Sequence, residues 1–188
     1  MNPLYEPLPK KVEVGGIPYP VKTDFRAVLK LIGEVKQAGE PGSRLFLILR
    51  LYKNEIPPDI QGAVQAVTDF IAGIRSAEKE KEREGSGKQT FSYEKDAPYI
   101  VSDFRNYYGI DLLACKYLHW QKFQMLLEGL PDDSGTKIRI GYRSIDAGKI
   151  RDKQERQRIQ KIQRAISLED ERDEEQIGDL FAAAMWGD

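Results

Sequence analysis

The stretch that most constrains the fold is "YLHWQKFQMLLEGLP", residues 117–131. Trp120, Phe123, Leu127 and Leu130 fall at i, i+3, i+7 and i+10, the spacing of one helix face. A face carrying an indole and a phenyl ring cannot stay in water and has to be covered by other elements. Gly129 followed by Leu130 predicts a Schellman ending with Leu130 packed back on Met125, and Pro131 stops the helix. Asp111 is the expected cap of the helix that carries this stretch. The remaining question is what the rest of the chain offers as cover.

Mostly helices, by their spacing. "KVEVGGIPYPV" alternates around Gly15-Gly16 and predicts a two-residue β-hairpin, with Pro18 and Pro20 keeping its second strand at an edge. Thr23 is the expected cap of a helix whose stripe is Phe25, Val28, Leu29 and Ile32. Ser43 is the expected cap of "RLFLILRLYKN", read as a short buried helix. Pro57 and Pro58 end that segment and open another helix, with Ile60, Val64, Val67, Phe70, Ile71 and Ile74 at 3-4 spacing. A later helix starts at Asp96 or Ala97, before Pro98. It carries Ile100, Phe104 and Tyr107 on one face and ends at Gly109. "TKIRIGYRSID" fits both a strand and a helix; helical neighbours and the lack of a partner strand favour a helix, with Ile138, Tyr142 and Ile145 aligned. A basic helix follows, with Ile159, Ile162 and Ile166 on one face.

The predicted architecture is therefore mainly α: a compact helical bundle with a short N-terminal β-hairpin and a C-terminal helical extension. Its expected parts are the hairpin and helices of residues 1–75, a charged flexible loop at 76–90, helices of the same domain at 91–168, and an acidic amphipathic tail at 169–188. Strict sign alternation from Glu78 to Glu84, then Gly85-Ser86-Gly87, mark the loop. The "GSGK" within it lacks the earlier glycine and leading strand of a phosphate loop.

Catalytic chemistry is hard to find. With one cysteine and one histidine the chain offers neither a disulfide nor a usual zinc set, and no metal or cofactor is expected. Cys115 and His119 are four residues apart and would share a helix face, but such dyads draw their members from separate elements. A buried cysteine beside a partly exposed histidine is the preferred reading. The expectation is a protein that is not an enzyme. The start "MNPLYEPLPKK" has no apolar signal core and "LFLIL" is far too short to span a membrane, so a reducing cytoplasm is the expected setting.

Charge gives nucleic acid a hearing and then argues against it. Residues 149–164 hold seven basic and two acidic side chains, enough to grip phosphates. Residues 169–188 answer with eight acids and one arginine, and the whole chain balances 29 basic against 30 acidic groups. Opposite blocks so close together favour solvation or mutual pairing over a polyanion.

The order of segments adds what composition cannot. "YPVKTDFR" after a hairpin, "FSYEKDAPYIVSDFRNYYGIDL", "LHWQKFQMLLEGLP" and "TKIRIGYRSID" before a basic helix resemble the bacteriophage gene product fifteen family of siphophages infecting Gram-positive bacteria. The resemblance runs over roughly residues 11–168. It implies a tail assembly chaperone, encoded beside the tape measure, that keeps the tape measure protein soluble and helps recruit major tail tube protein. It also implies self-association, residence in the host cytoplasm and absence from the mature virion. A structural tail component and a small nucleic-acid-binding regulator using residues 149–164 are the alternatives. The family brings no catalytic residues. Its strongest motif falls on Tyr108, Gly109, Asp111, Trp120, Phe123 and Leu127, expected to build core.

Beyond Leu168 the resemblance fades and the tail stands alone. Ile177, Leu180, Phe181 and Ala184 fall at i, i+3, i+4 and i+7, with Met185 and Trp186 beside them. A helix so short with so apolar a face has to dock on something. Ile177, Leu180, Phe181, Met185 and Trp186 are therefore the candidate partner-binding residues. The acceptor can be its own domain, a neighbouring copy, or a tape measure or tube partner. Folding back onto its own core is about as well supported as the neighbour, and the basic stretch 149–164 makes a neighbouring copy the expected acceptor.

Overall fold

In the computed structural model, residues 2–38, 40–73 and 89–168 are described. Among them are one two-stranded antiparallel hairpin and seven α-helices. Strands β1 (Lys11–Val14) and β2 (Ile17–Pro20) pair with Val12 opposite Tyr19 and Val14 opposite Ile17. Gly15 and Gly16 both have positive φ, 58° and 78°, which the two-residue turn requires and other residues resist. Val12, Val14 and Tyr19 face the core.

The next segment is stitched to two distant ones. Val21 bridges to Tyr52, and Asp24 bridges to His119. Phe25 N–H donates to Leu118 O at 3.0 Å and Trp120 N–H to Thr23 O at 2.7 Å. The aromatic helix is thus tied by its own first backbone N–H to the segment that begins the first helix.

Helix α1 (Phe25–Gln37) is capped by Asp24, whose carboxylate accepts from Arg26 N–H, and not by Thr23. Thr23 instead lends its carbonyl to Trp120, and its hydroxyl lies 2.7 Å from that of Tyr117. Phe25, Val28 and Leu31 are buried, with Leu29 and Ile32 packed at the margin. Helix α2 (Pro41–Leu49) opens on Pro41 rather than at a Ser43 cap, and it is not a buried helix. Only Leu49 is buried along it, and Phe46 is 67% exposed. An apolar run states that a segment wants cover, not that the fold supplies it on every side.

Helix α3 (Ile60–Ala72) follows Pro57-Pro58 with Asp59 as cap and buries Ala63, Val67 and Phe70. It packs against β1, where Val14 would crowd any side chain at Gly62. Helix α4 (Ala97–Tyr108) starts after Asp96 and ends at Gly109, whose φ of 65° turns the chain out of the helix as expected. Ile100 and Phe104 are buried as predicted, but Tyr107 is 43% exposed and Asp103 takes the inward position.

Helix α5 (Trp120–Glu128) carries the aromatic stretch, α6 (Gly135–Ser144) resolves the strand-or-helix ambiguity as helix, and α7 (Lys153–Ala165) is the basic helix. Helix α1 packs on α2 and α5, α4 on α5 and α6, and α6 on α7. One apolar core runs from Val12 to Leu130, so the hairpin, the first helices and the aromatic helix share it. The predicted charged loop and acidic tail fall largely or wholly outside the described residues.

Candidate functional site

The aromatic stretch lies at the centre of a ring cluster. Phe123 stacks on Phe25 at 4.8 Å, on Phe104 at 5.1 Å and beside Trp120 at 5.8 Å between centroids. Such offset contacts contribute roughly 0.5–1.5 kcal/mol per pair beyond buried area. Trp120, Phe123 and Phe104 are at most 1% exposed. The indole N–H, which needs a partner once buried, donates to Ile71 O at 2.9 Å. The same carbonyl accepts from Gln124 Nε2 at 3.1 Å. Ile71 lies in the last turn of α3, where carbonyls lack intrahelical donors, so α5 satisfies the end of α3. Gly73, with φ of 67°, lets Gln124 lie against that end, because any Cβ there would strike the Gln124 amide.

The motif residues separate into two roles. Trp120, Phe123 and Leu127 are core, as predicted. Tyr108 is half-buried and donates its hydroxyl to Leu126 O at 2.8 Å, tying α4 to α5. Gly109 terminates α4. Asp111 does not cap the aromatic helix: its carboxylate accepts from Leu113 and Ala114 N–H and closes a single turn at 111–115. His119 caps α5 in its place. Gly129 has φ of −78°, so the helix does not end in the left-handed Schellman geometry, although Leu130 is buried as expected.

His119 is 5% exposed and has a defined tautomer. Its Nδ1 accepts from Gln121 N–H at 3.2 Å, which leaves the proton on Nε2 to donate to Pro9 O at 2.9 Å. Burial pushes its pKa below the usual 6.5, and nearby Lys10 pushes the same way, against the Pro9 hydrogen bond. Cys115 lies outside any helix, so it does not share a face with His119; its Sγ and carbonyl both receive the Arg26 guanidinium. Among the described residues no group of three or more His, Cys, Asp or Glu side chains is placed to hold a metal ion.

Beside this cluster an apolar cleft of about 300 Å³ opens between α1, α4 and the turn at Leu112-Leu113. Phe25 and Phe123 are the buried aromatic part of its lining, while Leu29 and Val101 are partly exposed and Leu113 is exposed. Leu113 is 81% exposed on its lip. Among the described residues of the lining Arg26 is the one charged side chain, held there by Asp24 and by the carbonyls of Leu112 and Cys115. Among the described residues of its lining there is no cluster of reactive groups. Its residues come from four separate stretches of chain, 25–29, 93–101, 112–113 and Phe123, and no single-segment pattern announces it. The partner-binding residues predicted from sequence, Ile177, Leu180, Phe181, Met185 and Trp186, lie outside the described residues.

The model of one family, described as bacteriophage Gp15 protein, matches residues 4–168. This chain belongs to the bacteriophage Gp15 protein family. The match ends at Leu168, where the segment-by-segment resemblance fades, and reaches seven residues further toward the N-terminus than those segments do. Every element of the Gp15 fold described above, hairpin to α7, lies inside it. Neither a curated protein nor a solved structure matches the chain.

Proposed function

We propose that this Gp15 protein is a tail assembly chaperone that binds the tape measure protein, keeps it soluble and helps recruit tail tube subunits in the host cytoplasm. The observation that carries the reading is the open apolar cleft lined in part by buried aromatic rings, in a chain of a bacteriophage family. A tape measure is long, apolar and helical, and an amphipathic helix binds by laying apolar anchors into such a groove. Leu29, Val101 and Leu113 are the side chains that would meet those anchors. The exposed Phe46 on α2 offers a second apolar contact for self-association, which a protein coating a long helical partner needs.

Co-expression with the tape measure protein tests it. Soluble tape measure and a co-purifying complex are expected, and Leu113→Glu is expected to weaken that complex without lowering the melting temperature. Insoluble tape measure with no complex would end the reading. The chain's presence in purified virions would instead favour a structural tail component. A second reading has its own observation: Lys153, Arg158, Lys161 and Arg164 are exposed along α7. Steeply salt-dependent DNA binding would favour that one.

A further inference from the structure

The cleft lies beside the place where the described chain ends. Lys95 Nζ donates to Leu168 O at 2.5 Å, and Arg143 Nε donates to Ile166 O at 2.7 Å while its guanidinium grips Asp96. Lys95 and the Asp96-bound Arg143 thus hold the last described residues, and Lys95 and Asp96 lie in the chain between Tyr93 and Ala97, both of which line the cleft. Twenty residues follow Leu168. Eight of them, 169–176, are mostly acidic, and the next ten bring Ile177, Leu180, Phe181 and Trp186.

We infer that in the free protein this segment, residues 177–186, seats its apolar face in the cleft of its own chain. Reach allows it: eight extended residues span up to roughly 27 Å. Concentration favours it over a neighbouring copy, because a short tether holds a segment at an effective concentration on the order of millimolar. A second copy at micromolar concentration competes with a thousandfold disadvantage. Charge alone pointed to a neighbour through the basic stretch 149–164, but that stretch belongs to the same chain and ends where the tail begins. Chemistry agrees as well. The described lining is aliphatic and aromatic with one cation, Arg26, and the segment's sequence supplies aliphatic and aromatic residues preceded by carboxylates. An open apolar cleft on a free protein invites aggregation, and a tethered cover removes that surface from water. A partner that uses the cleft must displace the cover. The inference concerns the free protein alone and does not depend on what that partner is.

The experiment uses the full chain with Cys115→Ser and Gly187→Cys, which leaves the docking residues intact, a nitroxide on the new thiol, and methyl labelling of leucine and valine. Strong broadening of the Leu29, Val101 and Leu113 methyls is expected, with Val12 and Val14 on the hairpin unaffected. Leu113→Glu, a change at an exposed position, is expected to abolish the broadening at Leu29 and Val101 while leaving the spectrum folded. Mixing spin-labelled unenriched chain with enriched unlabelled chain separates the two geometries. No broadening in the mixture supports the intramolecular seat. Broadening there equal to that within one chain would overturn it in favour of a neighbouring copy, and no broadening in either sample would overturn it outright.

Discussion

Two junctions hold the second half of the molecule, and they are built from opposite materials. Where α5 meets α1 and α4, four rings, Phe25, Phe104, Trp120 and Phe123, pack with almost no exposed surface. Where α6 meets α4 and α7, the buried groups are polar. Arg143 forms a bidentate pair with Asp96 at 2.8 Å for both bonds, with side chains 6% and 0% exposed. The same guanidinium reaches the carbonyls of Thr90 and Ile166, and Asp96 also accepts from Ser92 N–H. Nearby, the buried Asp103 accepts from Gly135 and Thr136 N–H at the start of α6. The apolar junction is held mainly by ring packing, with a few directional bonds at its edge, chief among them the Trp120 indole N–H on Ile71 O. The polar one is costly to desolvate and stands only because nearly every lone pair and proton is matched.

That difference predicts how each breaks. Trp120→Ala removes a fully buried ring and its bond to Ile71, and is expected to cost about 3 to 5 kcal/mol, read as a lower denaturation midpoint. An unchanged melting temperature with lost partner binding would mean that the ring is a contact surface instead. Arg143→Met is expected to cost a similar amount, about 3 to 5 kcal/mol, because it strands the Asp96 carboxylate in the interior. The two junctions then part company. Adding Asp96→Leu to Arg143→Met is expected to recover most of the loss, since an apolar pair removes the stranded charge. A second substitution at Phe123 or Phe104 is expected to recover much less of the Trp120→Ala loss, because a cavity has to be refilled in shape and not merely neutralised.

The same contrast explains what the sequence made legible. Trp120, Phe123, Leu127 and Leu130 announce a buried face through spacing alone, and all four are buried. Helix α6 was legible as a helix, but its face was not. Ile138 and Ile145 are 43% and 37% exposed, while Thr136 and Arg143 point inward. Nothing local marks Arg143 as buried, because its partner Asp96 lies 47 residues away and both residue types usually face water. The caps show the same limit on a smaller scale. Thr23 and Asp24 are both good caps, and only the bridge to His119 decides that Thr23 is needed elsewhere. The cleft was not legible because α1, α4 and the turn at 112–113 each look ordinary until packing brings them together.

Asp103 gives a smaller and more local effect. Its two oxygens accept from the first N–H groups of α6, one at 2.8 Å, where a carboxylate also meets the positive end of the helix dipole. Asp103→Ala is expected to cost about 1 to 2 kcal/mol. Ser134, which caps Lys137 N–H, remains in place and limits the damage. The check is amide exchange: protection in α6 should fall while protection in α5 holds. Equal loss in both helices would mean that the two junctions are one cooperative unit and that the contrast between them is only geometric.

The smallest expected effect is a pH dependence, and it belongs to the apolar junction alone. His119 caps α5 only in its neutral form, because Nδ1 must accept from Gln121 N–H. Protonation would turn two donors toward each other and bury a charge next to Phe70. Burial, aided by Lys10, holds the folded pKa below the ordinary 6.5. Between that lowered value and 6.5 the unfolded chain carries a proton that the folded chain does not. Unfolding then takes up protons, and stability falls as pH drops through this window. Above 6.5 both states are neutral and the histidine contributes no slope. Asn at the same position can cap without titrating. His119→Asn is therefore expected to flatten the stability profile from neutral pH downward, until the carboxylates begin to protonate. If the slope survives the substitution, the proton is taken up elsewhere, and the cap at the start of the aromatic helix is not what pH reads.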